Sequence, residues 1–133
     1  MQQINTEITW LTFTLLMTAL FWVPYILNRM YEHGIWPALY NPQPDTQPKA
    51  QWAERMMRAH TNAVENLVVF APLVLAIEIS SANSQTTAAA CIIYFFARSA
   101  HFILYSFKVP FFRTVAFLVG VGCQVTLALA LLN

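Results

Sequence analysis

Residues 54–80 read ERMMRAHTNAVENLVVFAPLVLAIEIS, a charged, amide-bearing run that passes at Asn66 into an uncharged apolar stretch reaching to Ile77. How that join is read decides the fold. A helix from Gln51 to about Ile79 has membrane-crossing length, yet its first half carries Glu54, Arg55, Arg58 and Glu65. In a chain that is 58% hydrophobic and only 10% charged, these groups need solvation by something other than lipid, which implies a polar site inside a membrane bundle.

The flanking sequence supports that reading. Residues 8–28, 79–97 and 114–133 contain no charge. Each is about 20 residues, enough at roughly 1.5 Å per residue to cross a hydrocarbon core of about 30 Å. The expectation is an all-α integral membrane four-helix bundle, one domain over residues 1–133, with helices at about 8–31, 51–79, 84–108 and 111–132. The first span lacks the basic flank and small-residue cleavage site of a signal peptide and is read as retained. Pro24 is expected to bend it and Pro72 to kink the second span, while Gly120 and Gly122 offer close approach between helices. Residues 32–50, with four of the seven prolines, are read as a polar loop. Trp10 near one end of the first span and Trp22, Tyr25, Tyr31 and Trp36 toward the other fit an interfacial belt.

Cys91 and Cys123 fall in apolar spans and suggest neither a disulfide nor a metal site. A net charge of +1 gives no case for a nucleic-acid partner. Arg29, Lys49, Arg55, Arg58, Lys108 and Arg113 flank the connections after the first and third spans, and the N-terminus, the 80–86 turn and the C-terminus carry no Lys or Arg. By the positive-inside rule, those two connections are expected in the cytoplasm and both termini on the opposite side.

Two stripes carry the candidate chemistry. Arg58, Asn62 and Glu65 stand at i, i+4 and i+7 on the second span, and Arg98, His101 and Tyr105 at i, i+3 and i+7 on the third. Helical rise places both roughly 5 to 20 Å from the cytoplasmic end, where Arg113 begins the fourth span. Buried ion pairs tying the bundle together, such as Glu65 with Arg58 or Arg98, are the simpler alternative. One such pair would leave the other arginines, Asn62, His101 and Tyr105 unexplained, and that surplus of donors points to an anionic, multiply hydrogen-bonding ligand. Arg29, Lys49 and Lys108 are accounted for by snorkelling. His60 points away from the Arg58 stripe, toward another helix or another subunit, and Glu78 is read as solvated near the far interface.

The run Glu54 to Glu65, E-R-x-x-R-A-H-x-N-x-x-E, together with Arg98, His101, Tyr105, Pro110 and Arg113 in order, resembles the signature of the membrane-associated proteins in eicosanoid and glutathione metabolism, the MAPEG superfamily. The likeness covers essentially the whole chain and is closest in character to bacterial and microsomal glutathione transferases. It implies a homotrimer with three glutathione sites between subunits, opening to the cytoplasm. Arg58, Asn62, Glu65, Arg98, His101 and Tyr105 would hold the tripeptide, His60 and Arg29 would reach in from the neighbouring subunit, and Arg113 would be catalytic with Tyr105 as a hydrogen-bond donor to the sulfur. Spacing between Tyr105 and Arg113 varies among branches of the superfamily. Thr61 and Thr114 depart from the prostaglandin synthase branch and Asn66 from the leukotriene synthase branch, which argues against a dedicated eicosanoid synthase.

The resemblance therefore implies a detoxification enzyme that adds glutathione, as co-substrate and without metal, to a hydrophobic electrophile arriving from the membrane lipid. A glutathione-dependent peroxidase or isomerase of lipid-derived substrates is the alternative within the superfamily. A non-catalytic lipid-binding protein and a small transporter are the alternatives outside that chemistry.

Overall fold

Asn5 starts the first helix by accepting the backbone N–H of Ile8 at 3.1 Å, satisfying one of the donors a helix N-terminus leaves open. In the computed structural model, which describes residues 4–40 and 47–133, this helix, α1 (Thr6–Leu20), stops earlier than expected. The bent helix anticipated over 8–31 is two helices, α1 and α2 (Val23–His33), parted at Phe21 and Trp22. Pro24 contributes to the break: it has no N–H to give the Leu20 carbonyl, and it stands in the first turn of the new helix, where that loss is best tolerated. Together the two helices still form one apolar segment, Thr6–His33.

The polar loop expected over 32–50 is corrected in part as well. After Gly34, whose φ of 85° suits a residue without Cβ, the chain forms the short helix α3 (Ile35–Tyr40). Residues 41–46 lie outside the described residues. The remaining helices are α4 (Gln51–Ile79), α5 (Gln85–Ser106) and α6 (Pro110–Leu132). α4 continues through Pro72, and Ser84 opens α5 with a reciprocal capping box to Thr87. Thr6–His33, Gln51–Ile79, Gln85–Ser106 and Pro110–Leu132 are each long and apolar enough to cross a membrane. Large apolar side chains such as Leu16, Leu27, Val68, Ile103, Leu118 and Leu129 are more than half exposed, as lipid contact requires. The protein is an all-helical integral membrane protein.

The spans pack around two cores. Near the chain termini, Leu11, Phe70, Val74, Ile77, Cys91, Tyr94 and Leu127 form an apolar cluster in which the Phe70 and Tyr94 rings stack at 3.7 Å. Both cysteines are buried and unpaired. Toward the cation-bearing end, Phe21 stacks on Phe102 at 3.7 Å beside Met56, Ala59 and Ala63. The small residues Ala53, Ala59 and Ala63 face the interior of α4 and allow the close approach on which packing in lipid depends.

Polar ties close both ends. Ala50 has no side chain with which to cap α4, and Glu32 substitutes by accepting the backbone N–H groups of Lys49 and Ala50 at 3.1 and 3.0 Å. Arg55 donates through Nε to the Ser106 carbonyl at 2.8 Å, satisfying a carbonyl in the last turn of α5. At the opposite end, Thr87 donates to the buried carboxyl of Glu7 at 2.5 Å. Glu78 is exposed and accepts from Asn5 and Asn83, so the residue read as solvated also ties α1 to the α4–α5 turn.

Candidate functional site

α4 and α5 run antiparallel, and their two sequence stripes come together at the cation-bearing end. Arg58, Asn62 and Glu65 of α4 and Tyr105 of α5 line one groove of about 530 Å³, shared with Gln47, Glu54, Met57 and Thr61. Arg98 lies behind it, 3% exposed, and donates to Asn62 Oδ1 at 2.6 Å. His101 is buried between the rings of Tyr105 and Phe117, at 5.7 and 6.0 Å. Arg113 does not line the groove. Its guanidinium sits 5.0 Å from the centre of the Tyr105 ring, within cation–π range.

The pairings differ from the simple ion-pair alternative. Arg58 is bonded to Glu54 at 2.8 Å, across one helical turn, with 67% and 37% of the two side chains exposed. An exposed i,i+4 pair is worth only about 0.3–0.5 kcal/mol, so this guanidinium can turn to a ligand at small cost. Glu65 forms no ion pair among the described residues. Deeper in, Arg98 Nε and His101 Nδ1 are buried with no hydrogen-bond partner among the described residues. Unpaired buried polar atoms cost about 1–3 kcal/mol each. Groups held in that state next to an open groove are poised for a polar ligand or water.

His60 and Arg29 lie outside the groove, on the α2 side of α4. His60 Nδ1 meets the Tyr25 hydroxyl at 2.8 Å, and the same ring reaches the backbone carbonyl of Thr18. It thereby staples the α1–α2 break from across the bundle. Arg29 borders a separate small cavity with Tyr25, Glu32, His33, Pro48 and Met57. Within one chain, then, the groove gathers Arg58, Asn62, Glu65 and Tyr105, with Arg98, His101 and Arg113 behind them, and leaves His60 and Arg29 apart.

Several participants were not singled out from sequence. Glu54 opens the motif and stands four residues before Arg58, the spacing of a helical ion pair, so its signal was present. Tyr94 continues the α5 stripe one turn below Arg98. Gln124 is the one long amide side chain in the uncharged stretch 114–133; it is buried and donates to the Asn66 carbonyl at 3.1 Å. Among the described residues no group of three or more His, Cys, Asp or Glu could hold a metal ion.

No curated protein and no solved structure matches the chain. The family comparison is positive: the model of the MAPEG family matches residues 8–133, which takes in all four spans and both stripes, and the chain belongs to that family.

Proposed function

We propose that this protein is a membrane-bound glutathione transferase, taking glutathione into the α4–α5 groove and adding its thiolate to hydrophobic electrophiles that arrive from the lipid. The observation that carries this reading is the donor set around one cavity: two arginines, a carboxylate with no ion pair among the described residues, an amide, and a phenol backed by a third arginine. Glutathione presents two carboxylates, an amine and a thiol. Arg58 and Arg98 suit the carboxylates through charge-assisted bonds, Glu65 suits the amine, and Asn62 and His101 have further polar atoms to offer.

Arg113 and Tyr105 serve the thiol. A free thiol has a pKa of about 8.5 and is mostly protonated at neutral pH. A guanidinium that brings it to about 6.5 contributes roughly 2.7 kcal/mol of differential stabilisation, enough to ionise most of the bound thiol. The cation–π contact holds Arg113 against Tyr105, so that the phenol O–H and the guanidinium act on one side of the groove. The apolar faces of the spans carry no comparable chemical pattern, which fits a second substrate selected by shape and hydrophobicity.

A homotrimer completes the reading. Glu65 is exposed fourteen residues into α4, at a depth of about 21 Å by helical rise, and a carboxylate facing lipid there is costly. Beside it runs a stripe of Met57, Thr61, Val64, Val68 and Leu75, all exposed and spaced as a helix-packing seam. A neighbouring copy on that seam would shield Glu65, wall the groove, and bring its own Arg29 and His60 near. The groove would open to the cytoplasm, with both termini opposite. Calorimetric titration of the purified protein with glutathione tests the proposal. Saturable binding that weakens tenfold or more in Glu65→Gln, together with conjugation of a hydrophobic aryl halide, is expected; a protein that binds no glutathione would refute it.

A further inference from the structure

The short helix α3 has no interior. Its sequence, IWPALY, holds no charged or amide side chain, and none of its residues is buried. Ile35, Trp36, Leu39 and Tyr40 are each more than half exposed. At helical spacing these four share one face and leave Pro37 and Ala38 on the other, and the Trp36 and Tyr40 rings stack at 5.5 Å. Among the described residues α3 packs extensively on α2 alone, so its large apolar face has no partner within them. The depth at which it lies says what covers it. The segment before it, Thr6–His33, has 28 residues. At 1.5 Å per residue this is about 42 Å of helix, which matches a bilayer of roughly 40–45 Å with its headgroups included. One residue further on, after Gly34 ends α2, α3 begins at the headgroup layer. The surface leading to it already faces lipid: Leu27 and Tyr31 stand one turn apart on α2, 59% and 89% exposed.

We propose that α3 is a membrane-surface anchor, whose Ile35, Trp36, Leu39 and Tyr40 face lies in the boundary between headgroups and acyl chains, with lipid rather than a second copy of the chain as its partner. The side chains suit that boundary. Trp and Tyr favour headgroup level, where an apolar ring body meets water at one edge, and Ile and Leu gain by burial just below it. Arg29 and Lys49 bracket the helix in sequence, and cations there are drawn to a negatively charged leaflet surface. An interfacial belt accounts for Trp36 as a single ring. The anchor adds Ile35 and Leu39 and replaces a water-facing loop with a segment inserted in the bilayer. It also bears on the groove. Glu32, three residues before α3, holds the N-terminus of α4, and Gln47, seven residues after Tyr40, lines the groove, so an anchored α3 keeps the mouth of the groove at the headgroup layer. The lipid contact itself stands whether or not the groove takes glutathione.

The full chain in phosphatidylcholine vesicles, with a nitroxide attached at Leu39→Cys, reads the contact directly. Cys91 and Cys123 are buried, which keeps the label to the new position, and the unsubstituted protein put through the same labelling is the blank. Leu39 is exposed, so the substitution leaves the packing of the bundle intact. Oxygen, which concentrates in lipid, should collide with the label several-fold more often than a water-soluble nickel chelate. A label that meets the chelate more often would place α3 in water. One that is immobilised and shielded from both would place it against protein, a second copy included. Either result would overturn the proposal. A second measurement needs no label. Lipids brominated near the headgroup end of the acyl chain should quench a component of the tryptophan emission that Trp36→Phe lacks, while lipids brominated near the chain end leave that component almost untouched. Equal quenching of both proteins by the shallow bromines would count against the anchor just as decisively.

Discussion

The two ends of the bundle both bury polar groups, and they treat them differently. At the end near the termini, Glu7 is 3% exposed and its carboxyl is met by Thr87, itself held in the Ser84 capping box. At the cation-bearing end, Arg98 and His101 are buried to a similar degree and each keeps an atom without a partner among the described residues. Burial alone does not mark a functional group. What separates Glu7 from Arg98 and His101 is satisfaction: a buried polar group met by its own chain contributes to the fold, and one left partly open beside a groove is available for ligand.

That contrast can be broken from either side. The largest effect on stability is expected in the apolar end, where Phe70→Ala should cost about 3–5 kcal/mol through loss of a fully buried ring. Unfolding in detergent measures it, and glutathione affinity of the folded fraction should be little changed. At the other end, Arg113→Ala should reduce conjugation turnover roughly 100- to 1000-fold, the range seen when one group stabilising a reacting anion is removed, with the unfolding midpoint nearly unmoved.

Arg98→Leu sharpens the comparison further. It should weaken glutathione binding by about 1.5–3 kcal/mol, and yet leave stability equal or higher, because an incompletely bonded buried cation is removed. Isothermal titration and thermal unfolding of the same preparation check both halves. The smallest effects belong to polar ties. Glu7→Gln should cost about 1 kcal/mol of stability without touching turnover, and Glu32→Ala a similar amount by uncapping α4. A Glu7 variant that lost activity before stability would erase the distinction between the two ends.

Much of this arrangement was legible in the order of residues. The charge-free stretches located three spans, and the i, i+4, i+7 spacing of Arg58, Asn62 and Glu65 placed a polar stripe on the fourth, whose apolar half is as hydropathic as the first span despite the charges in its first half. The Arg98, His101 and Tyr105 spacing did the same for α5. Features set by distant contacts were not legible. Pro24 signalled distortion, but a full break at Phe21 and Trp22 is held by His60 from across the bundle, and no local pattern announces that. α3 is six residues long, too short for helical periodicity to register against Gly34 and Pro37. Arg55 reads as one more motif cation, and only packing reveals that it closes the end of α5. Glu7 reads as a terminal acid because its partner, Thr87, is eighty residues away.

The central claim is that the groove binds glutathione and holds it ionised. The direct measurement is the ultraviolet absorbance of a thiolate when glutathione is added to the purified protein at neutral pH, with Arg113→Ala beside it. The account predicts a saturable thiolate signal in the wild type that is lost in the variant while binding persists. Binding without any thiolate signal in the wild type, or an equal signal in both proteins, would contradict it.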